Sequence, residues 1–220
     1  MPRLKILLGA AAVSLLSAGA LHAFPNTIHW TADASGPLCG AGGIYATGAS
    51  ADWGVTCAHC HINDKGQQGK MAVSVTANPV MGGGKYVPGT VYTMTVQILN
   101  EALGLANAID NKNGFVLTVE DAGGKKAGTL TADMTAGCPA AAPLIPDGAV
   151  PGTTYTYGDC RAITSIGKNN VAPKWTFTWK APAAGTGTVT MFYGVLDGDS
   201  SQTSLGDDLK LGTLRLNEGP

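Results

Sequence analysis

Two thiols and an imidazole fall within Cys57-Ala58-His59-Cys60-His61, inside the stretch "GVTCAHCH". Cys-x-x-Cys-His is the attachment pattern for c-type haem. Its spacing lets two sulfurs form thioethers with the two vinyl groups on one edge of a porphyrin, while the adjacent imidazole swings under the ring to bind iron. The expectation is one covalent haem c, with Cys57 and Cys60 as thioether residues and His61 as the proximal iron ligand. Three other chemistries use similar residues. A Cys57-Cys60 disulfide is open to any chain in an oxidising compartment. A thioredoxin-like redox pair usually opens a helix in an α/β fold, which the neighbours Val55, Thr56, Asn63 and Asp64 do not suggest. A zinc knuckle wants a second Cys or His pair, and only His29, Cys39 and His59 are there to complete one.

Two further groups have chemistry of their own. Cys138 and Cys160 stand at the ends of the Pro-rich stretch "AGCPAAAPLIPDGAVPGTTYTYGDC". Linking them closes a loop of about 20 residues, a restriction of the unfolded chain worth about 3 kcal/mol. That disulfide is expected, and Cys39 is then left over. In "LDGDSSQTSLGDDLK", Asp197, Asp199, Asp207 and Asp208 offer oxygens to Ca2+. No glutamate at a fixed later position completes an EF-hand loop, so a solvated acidic turn is the first reading and calcium the second.

These residues have to be positioned by strands. "KMAVSVTA" alternates Met71, Val73 and Val75 with Ala72, Ser74 and Thr76, the period of a half-buried strand. "TVYTMTVQIL" sets Tyr92, Met94, Val96 and Ile98 on one face and Val91, Thr93, Thr95 and Gln97 on the other. "GFVLTVED", "AGTLTA", "KWTFTWKAP", "GTVTMFYGVL" and "LGTLRL" bring the number to roughly seven, with Gly, Pro and Asn between them. The fold class this predicts is all-β, an immunoglobulin-like antiparallel sandwich. "MGGGKY" reads as a turn, and "LNEALGLANAID", Leu99 to Asp110, equally as a weak helix that Gly104 interrupts or as a long loop. Residues 24–68 lack alternation but hold Phe24, Trp30, Tyr45 and Trp53, and are expected to form an irregular, haem-binding segment laid against a sandwich spanning 69–220. The Pro-rich excursion at 136–160 is expected to be irregular too.

Arg3 and Lys5 precede an apolar run from Ile6 to Leu16, with small residues to Ala23. This is the pattern of a secretory signal peptide, 1–23, cut after Ala23 or alternatively after Ala20. No later run approaches the ~20 apolar residues of a membrane span. Of 14 Lys and Arg, two leave with the signal, so 12 remain against 15 Asp and Glu, a net charge of −3 with His neutral. Such a surface excludes nucleic acid and anionic membranes as partners. The chain also lacks a Ser-His-Asp set, a phosphate-cradling Gly loop before a helix, and a zincin pattern, so hydrolytic and nucleotide chemistry are missing their parts.

The order "YATGASADWGVTCAHCH", "KYVPGTVYTMTVQI", "NGFVLTVEDAGGKKAGTLTA", "KWTFTWKAPAAGTGTVTMFYGVLDGD" resembles the reeler-like bacterial domains called choice-of-anchor V, over about Thr47 to Asp208. The resemblance implies a reeler-like β-sandwich on a secreted protein, with a Cys-x-x-Cys-His segment beside it. Such relatives commonly place a histidine just before the "WTFTW" strand, which the resemblance makes a source for a second axial ligand; here "GDCRAIT" stands there, and no histidine follows His61.

A second iron ligand would therefore come from His29 in "TIHWT", with Met81 and Met134 as runners-up and an open or water-bound position as a third arrangement. His59 is poorly placed, because residues between the two cysteines face away from the iron. Met71, Met94 and Met191 lie in strands and read as core. The function expected is a periplasmic or extracellular monohaem c-type cytochrome, an electron carrier and not an enzyme, passing electrons to a redox protein partner or along an assembly of like subunits. The alternative is a non-catalytic surface, adhesion or assembly module whose cysteines are structural or bind another metal.

Overall fold

The structure, a computed structural model, describes residues 46–52, 54–59, 61, 70–101, 113–132, 154–157, 161–165, 172–199 and 205–220, with 154–157 as backbone only. It is an antiparallel β-sandwich of the immunoglobulin-like kind, as the alternation predicts. Ten strands are described: β1 (Ala72–Asn78), β2 (Lys85–Tyr86), β3 (Val91–Asn100), β4 (Gly114–Asp121), β5 (Thr129–Thr131), β6 (Thr154–Tyr157), β7 (Ala162–Ser165), β8 (Lys174–Lys180), β9 (Val189–Asp197) and β10 (Asp208–Glu218). One sheet has the order β1-β3-β8-β5, the other β2-β10-β9-β4-β7-β6. All ladders are antiparallel except β2 with β10.

Alternation puts one side of each strand into the core. Tyr92, Met94, Val96 and Ile98 of β3 and Trp175, Phe177 and Trp179 of β8 face Phe115, Leu117 and Val119 of β4 and Val189, Met191 and Val195 of β9. Trp179 organises one end of this layer. It stacks on Tyr92 at 5.7 Å and 26°, meets Tyr86 edge-on at 5.7 Å and 69°, and its Nε1–H donates to the Ala127 carbonyl at 3.0 Å. Phe115 bridges the sheets, 5.0 Å from the ring of Trp175 and 5.8 Å from that of Phe177. Met71, Met94 and Met191 are buried core residues, as read from their positions.

Several expectations need correction. "MGGGKY" is more than a turn: after a 3-10 turn, Gly82–Gly84, Lys85 and Tyr86 pair with Asn217 and Glu218 of β10. The excursion at 136–160 is not irregular throughout, because Thr154–Tyr157 forms β6 against β7. Its Thr-Tyr-Thr-Tyr run is β-branched and aromatic, which suits a pleated strand. Leu99 and Asn100, read as the start of a helix or loop, are the last residues of β3. The remainder of that segment, the signal sequence, His29, Cys39, Met134, and the Cys138 and Cys160 pair lie outside the described residues. Among the described residues no helix is long and apolar enough to cross a membrane.

Trp179→Ala removes a fully buried indole together with its stacking on Tyr92. The expected cost is about 3–5 kcal/mol, read as a lowered urea midpoint with an unchanged slope.

Candidate functional site

β4, β9 and β10 have a second face, turned away from the core, and the Cys-x-x-Cys-His segment lies on it. Thr118 and Glu120 alternate with the core residues Leu117 and Val119, yet are only 0% and 2% exposed. What covers them is the stretch 46–61. It is a small hairpin: Thr47 bridges Thr56 antiparallel, Gly48 N–H donates to the Val55 carbonyl at 2.8 Å, and a 3-10 turn, Ser50–Asp52, lies between. Gly48 takes φ +80°, and a Cβ there would meet Thr56 Cγ2 at 2.9 Å, so glycine permits this closure.

Hydrogen bonds fasten the hairpin to the sheet. Thr47 Oγ1 lies 2.8 Å from Thr118 Oγ1. Ser50 donates from its backbone N–H at 3.0 Å and from its hydroxyl at 2.5 Å to Glu120 Oε2. Asp52, itself buried, accepts at Oδ2 from the Thr47 N–H at 2.8 Å and the Thr47 hydroxyl at 2.5 Å. Burial pushes the Asp52 carboxyl up to about 6, against the opposing pull of Thr47, and the charge of Glu120 adds to the rise.

The motif follows as a second 3-10 turn, Cys57–His59. His61 N–H donates to the Cys57 carbonyl at 2.9 Å, so the two residues occupy one turn of chain. Cys57 Sγ is half-buried, donates to the Ala46 carbonyl at 3.4 Å, and fills the space that Gly194 of β9 leaves: a Cβ on Gly194 would lie 2.7 Å from the sulfur and 3.3 Å from Leu211 Cδ2. Leu211, the partner of Gly194 across the β9/β10 ladder, is 38% exposed. His61 reaches the start of β10, where its Nδ1 lies 2.6 Å from Asp207 Oδ2. His59 turns back on its own segment, its Nδ1 accepting from the Thr56 N–H at 3.0 Å.

The acidic stretch is not the solvated turn expected. Asp197, Asp207 and Asp208 are 0%, 3% and 0% exposed. Asp207 Oδ1 accepts from the Asp199 N–H at 3.1 Å, and Asp208 takes the Met71 N–H at 3.0 Å and the Leu209 N–H at 2.9 Å. Buried carboxylates must be given donors; Asp207 receives them from His61 and the Asp199 N–H, and Asp208 from the backbone. Among the described residues, no group of three or more His, Cys, Asp or Glu converges on one point, for calcium or another metal.

Of the predicted site residues, Cys57 and His61 are brought together, with Cys60 between them but outside the described residues. Met81 is not brought to them. It packs half-buried against the core before the 3-10 turn that leads into β2, and β2 pairs with the Asn217–Glu218 end of β10. Asp207 adjoins the other end, about 33 Å away along an 11-residue strand. Sequence reasoning missed Asp207 as the partner of His61, and Gly194 as the seat of Cys57. Asp207 had been noticed for its oxygens, but nothing local joins it to a residue 146 positions earlier.

The residues present fit a covalent haem. An ionised carboxylate only accepts, so Nδ1 carries the proton of this hydrogen bond and Nε2 is the nitrogen left for iron. Metal-ligating histidines are commonly held in this way by a carboxylate on the other ring nitrogen.

No family model and no curated protein matches the chain. Among solved structures, the human F-spondin reeler domain is similar at TM-score 0.44 and 19% identity, covering 72% of this chain and 94% of that one. The major subunit AggA of Escherichia coli aggregative adherence fimbriae gives 0.34 and 10%, covering 72% and 99%. The collagen-binding subdomain of the Enterococcus faecalis surface protein ACE gives 0.32 and 10%, covering 66% and 95%. The likeness is one of outline.

Two outcomes follow from the docking geometry. Unfolded Asp52 loses its proton near 3.8, the folded residue only at about 6. Between these values the native state binds more protons, so stability falls as pH rises, by roughly 3 kcal/mol for a two-unit difference. Asp52→Asn abolishes that component, seen as a flatter series of urea midpoints from pH 4 to 6. Separately, Gly194→Ala drives a Cβ into Cys57 Sγ. In a Cys60→Ser background, the Cys57 thiol is then alkylated several-fold faster in the native protein.

Proposed function

We propose that the protein is an exported, non-catalytic β-sandwich module whose outer-face segment binds one haem c covalently, making it a single-haem electron carrier. The observation that supports this best is the hydrogen bond from His61 Nδ1 to Asp207 Oδ2, within the only Cys-x-x-Cys-His of the sequence. Cys57 and Cys60 would hold the porphyrin edge and His61 the iron. Bound there, the haem supplies a one-electron change at iron whose potential the protein adjusts through ligand identity and burial.

The chain's own residues perform the positioning. Asp207 fixes the His61 ring and its tautomer. Gly194 leaves room for the Cys57 sulfur beside Leu211. Thr47 and Ser50 hold the segment on β4, and Asp52 braces Thr47 within the hairpin that precedes Cys57. His29 is the proposed second iron ligand, with Met134 as the runner-up. Met81 would have to leave its core packing to serve. Membership of the choice-of-anchor V domains, a Cys138–Cys160 disulfide, a periplasmic or extracellular location, and a redox partner or a chain of like subunits belong to the same proposal.

A second reading has an observation in its favour: the core is filled by the two sheets' own side chains, and the motif segment is docked through polar groups that need no cofactor. On that reading the protein is a surface or assembly module, and Cys57 and Cys60 are structural. The solved structures of similar outline are named as reeler, fimbrial and collagen-binding domains, and none of those names speaks for haem.

Expression in a periplasm equipped for haem attachment separates the two. The expected product is red, has a Soret band, and shows an intact mass raised by one haem, all lost in Cys57→Ser with Cys60→Ser. A colourless wild-type protein of unmodified mass would overturn the haem reading and favour the second.

A further inference from the structure

The proximal imidazole is not held by its own loop. Its partner, Asp207, comes from the opposite end of the chain, at the entry to β10, and is 3% exposed. Oδ2 meets His61 at 2.6 Å while Oδ1 takes the Asp199 N–H at 3.1 Å, so the carboxylate is clamped between the motif and the β9–β10 connection. The next residue, Asp208, is tied to the Met71 N–H at the other border of the motif segment. The two aspartates thus tie His61 and Met71 to the start of β10.

We propose that Asp207 is the positioning residue of the iron site, and that it acts in two separable ways, by orienting the His61 ring so that Nε2 is the coordinating nitrogen and by placing a full negative charge on the far side of that ring. This deepens the haem reading and rests on it. A short hydrogen bond from Nδ1–H to a carboxylate is charge-assisted and pushes electron density into the imidazole, making Nε2 a stronger donor. A stronger donor favours the more positively charged, oxidised iron over the reduced one. The site is therefore built for a low reduction potential, one that readily gives up its electron.

Asparagine separates the two roles, since its amide oxygen still accepts from Nδ1–H but carries no charge. In the haem-loaded protein, Asp207→Asn is expected to keep full haem attachment by mass and to move the reduction potential in the positive direction, with Asp207→Glu returning it toward wild type. Asp207→Ala removes both roles and is expected to lower the attached fraction as well. A measurement without haem guards against variants that fold poorly: nitrogen-15 NMR of the wild-type apoprotein should show His61 protonated on Nδ1 and bare on Nε2. Haem-loaded Asp207→Asn with an unchanged potential, or an apoprotein imidazole protonated on Nε2, overturns the proposal while leaving the haem reading intact. Failure of wild-type protein to take up haem overturns the reading on which it rests.

Discussion

A carboxylate removed from water must be supplied with hydrogen-bond donors or lose its charge, and the six-stranded sheet buries several on the side away from the core or at its end. Glu120, Asp207 and Asp208 are each nearly inaccessible. Each takes a donor from one stretch of chain: Ser50 supplies Glu120, His61 supplies Asp207, and the Met71 N–H supplies Asp208. The N-terminal segment is consequently fixed by polar groups at intervals along its length. The placement of Ser50, His61 and Met71 against the sheet follows from where those acceptors sit. Displacing the segment by a residue would leave buried acceptors unmet, a cost of about 1–3 kcal/mol for each and more where the group is charged.

This explains how an irregular segment can present chemistry with a defined orientation. Among the described residues of the hairpin, the hydrogen-bonded anchors on the sheet are Thr47 on Thr118 and Ser50 on Glu120. The motif turn then needs a smooth surface, which Gly194 provides beneath Cys57. One strand serves both ends of the molecule. At its start β10 adjoins Asp207 and the motif; at its finish Glu218 accepts from the Gly185 and Gly187 N–H groups at 2.8 and 2.7 Å and holds the β8–β9 turn, donors that also keep its carboxyl below the usual range.

The sandwich was legible because its signal is local and periodic. Tyr92, Met94, Val96 and Ile98 alternate with polar residues, and burial follows that alternation residue by residue. The short strands were harder: Lys85–Tyr86 is a strand only because the C-terminal end of β10 is there to pair with it, and two residues carry no period. At the site, the motif spacing alone puts Cys57 and His61 within one turn of chain, as the bond from the His61 N–H to the Cys57 carbonyl has them. Asp207 and Gly194 stayed hidden because their roles arise from contacts between distant parts of the chain. A glycine within "MFYGVL" looks like a weak point in a strand until Cys57 is seen to occupy the place of its side chain. The acidic turn misled for a similar reason. Four aspartates near glycine and serine look solvated, whereas burial depends on a covering segment that begins over a hundred residues earlier.

A core that is complete without a cofactor has a consequence for any group carried on the outer face. Trp175, Trp179, Phe115 and Leu117 close the space between the sheets, so a porphyrin attached at Cys57 and Cys60 would lie outside the hydrophobic interior. A haem retained mainly by packing needs a deep pocket, but one retained by two thioethers needs only a surface and a fixed imidazole. Covalent attachment and a pre-oriented His61 are thus the two properties a filled sandwich would require of a haem site. An edge left near the surface also shortens the path to a donor or acceptor, and electron transfer between proteins depends on that path. Polar docking through Thr47 and Ser50 keeps the described part of the segment on the outer face of the sheet, where any group it carried would also stay.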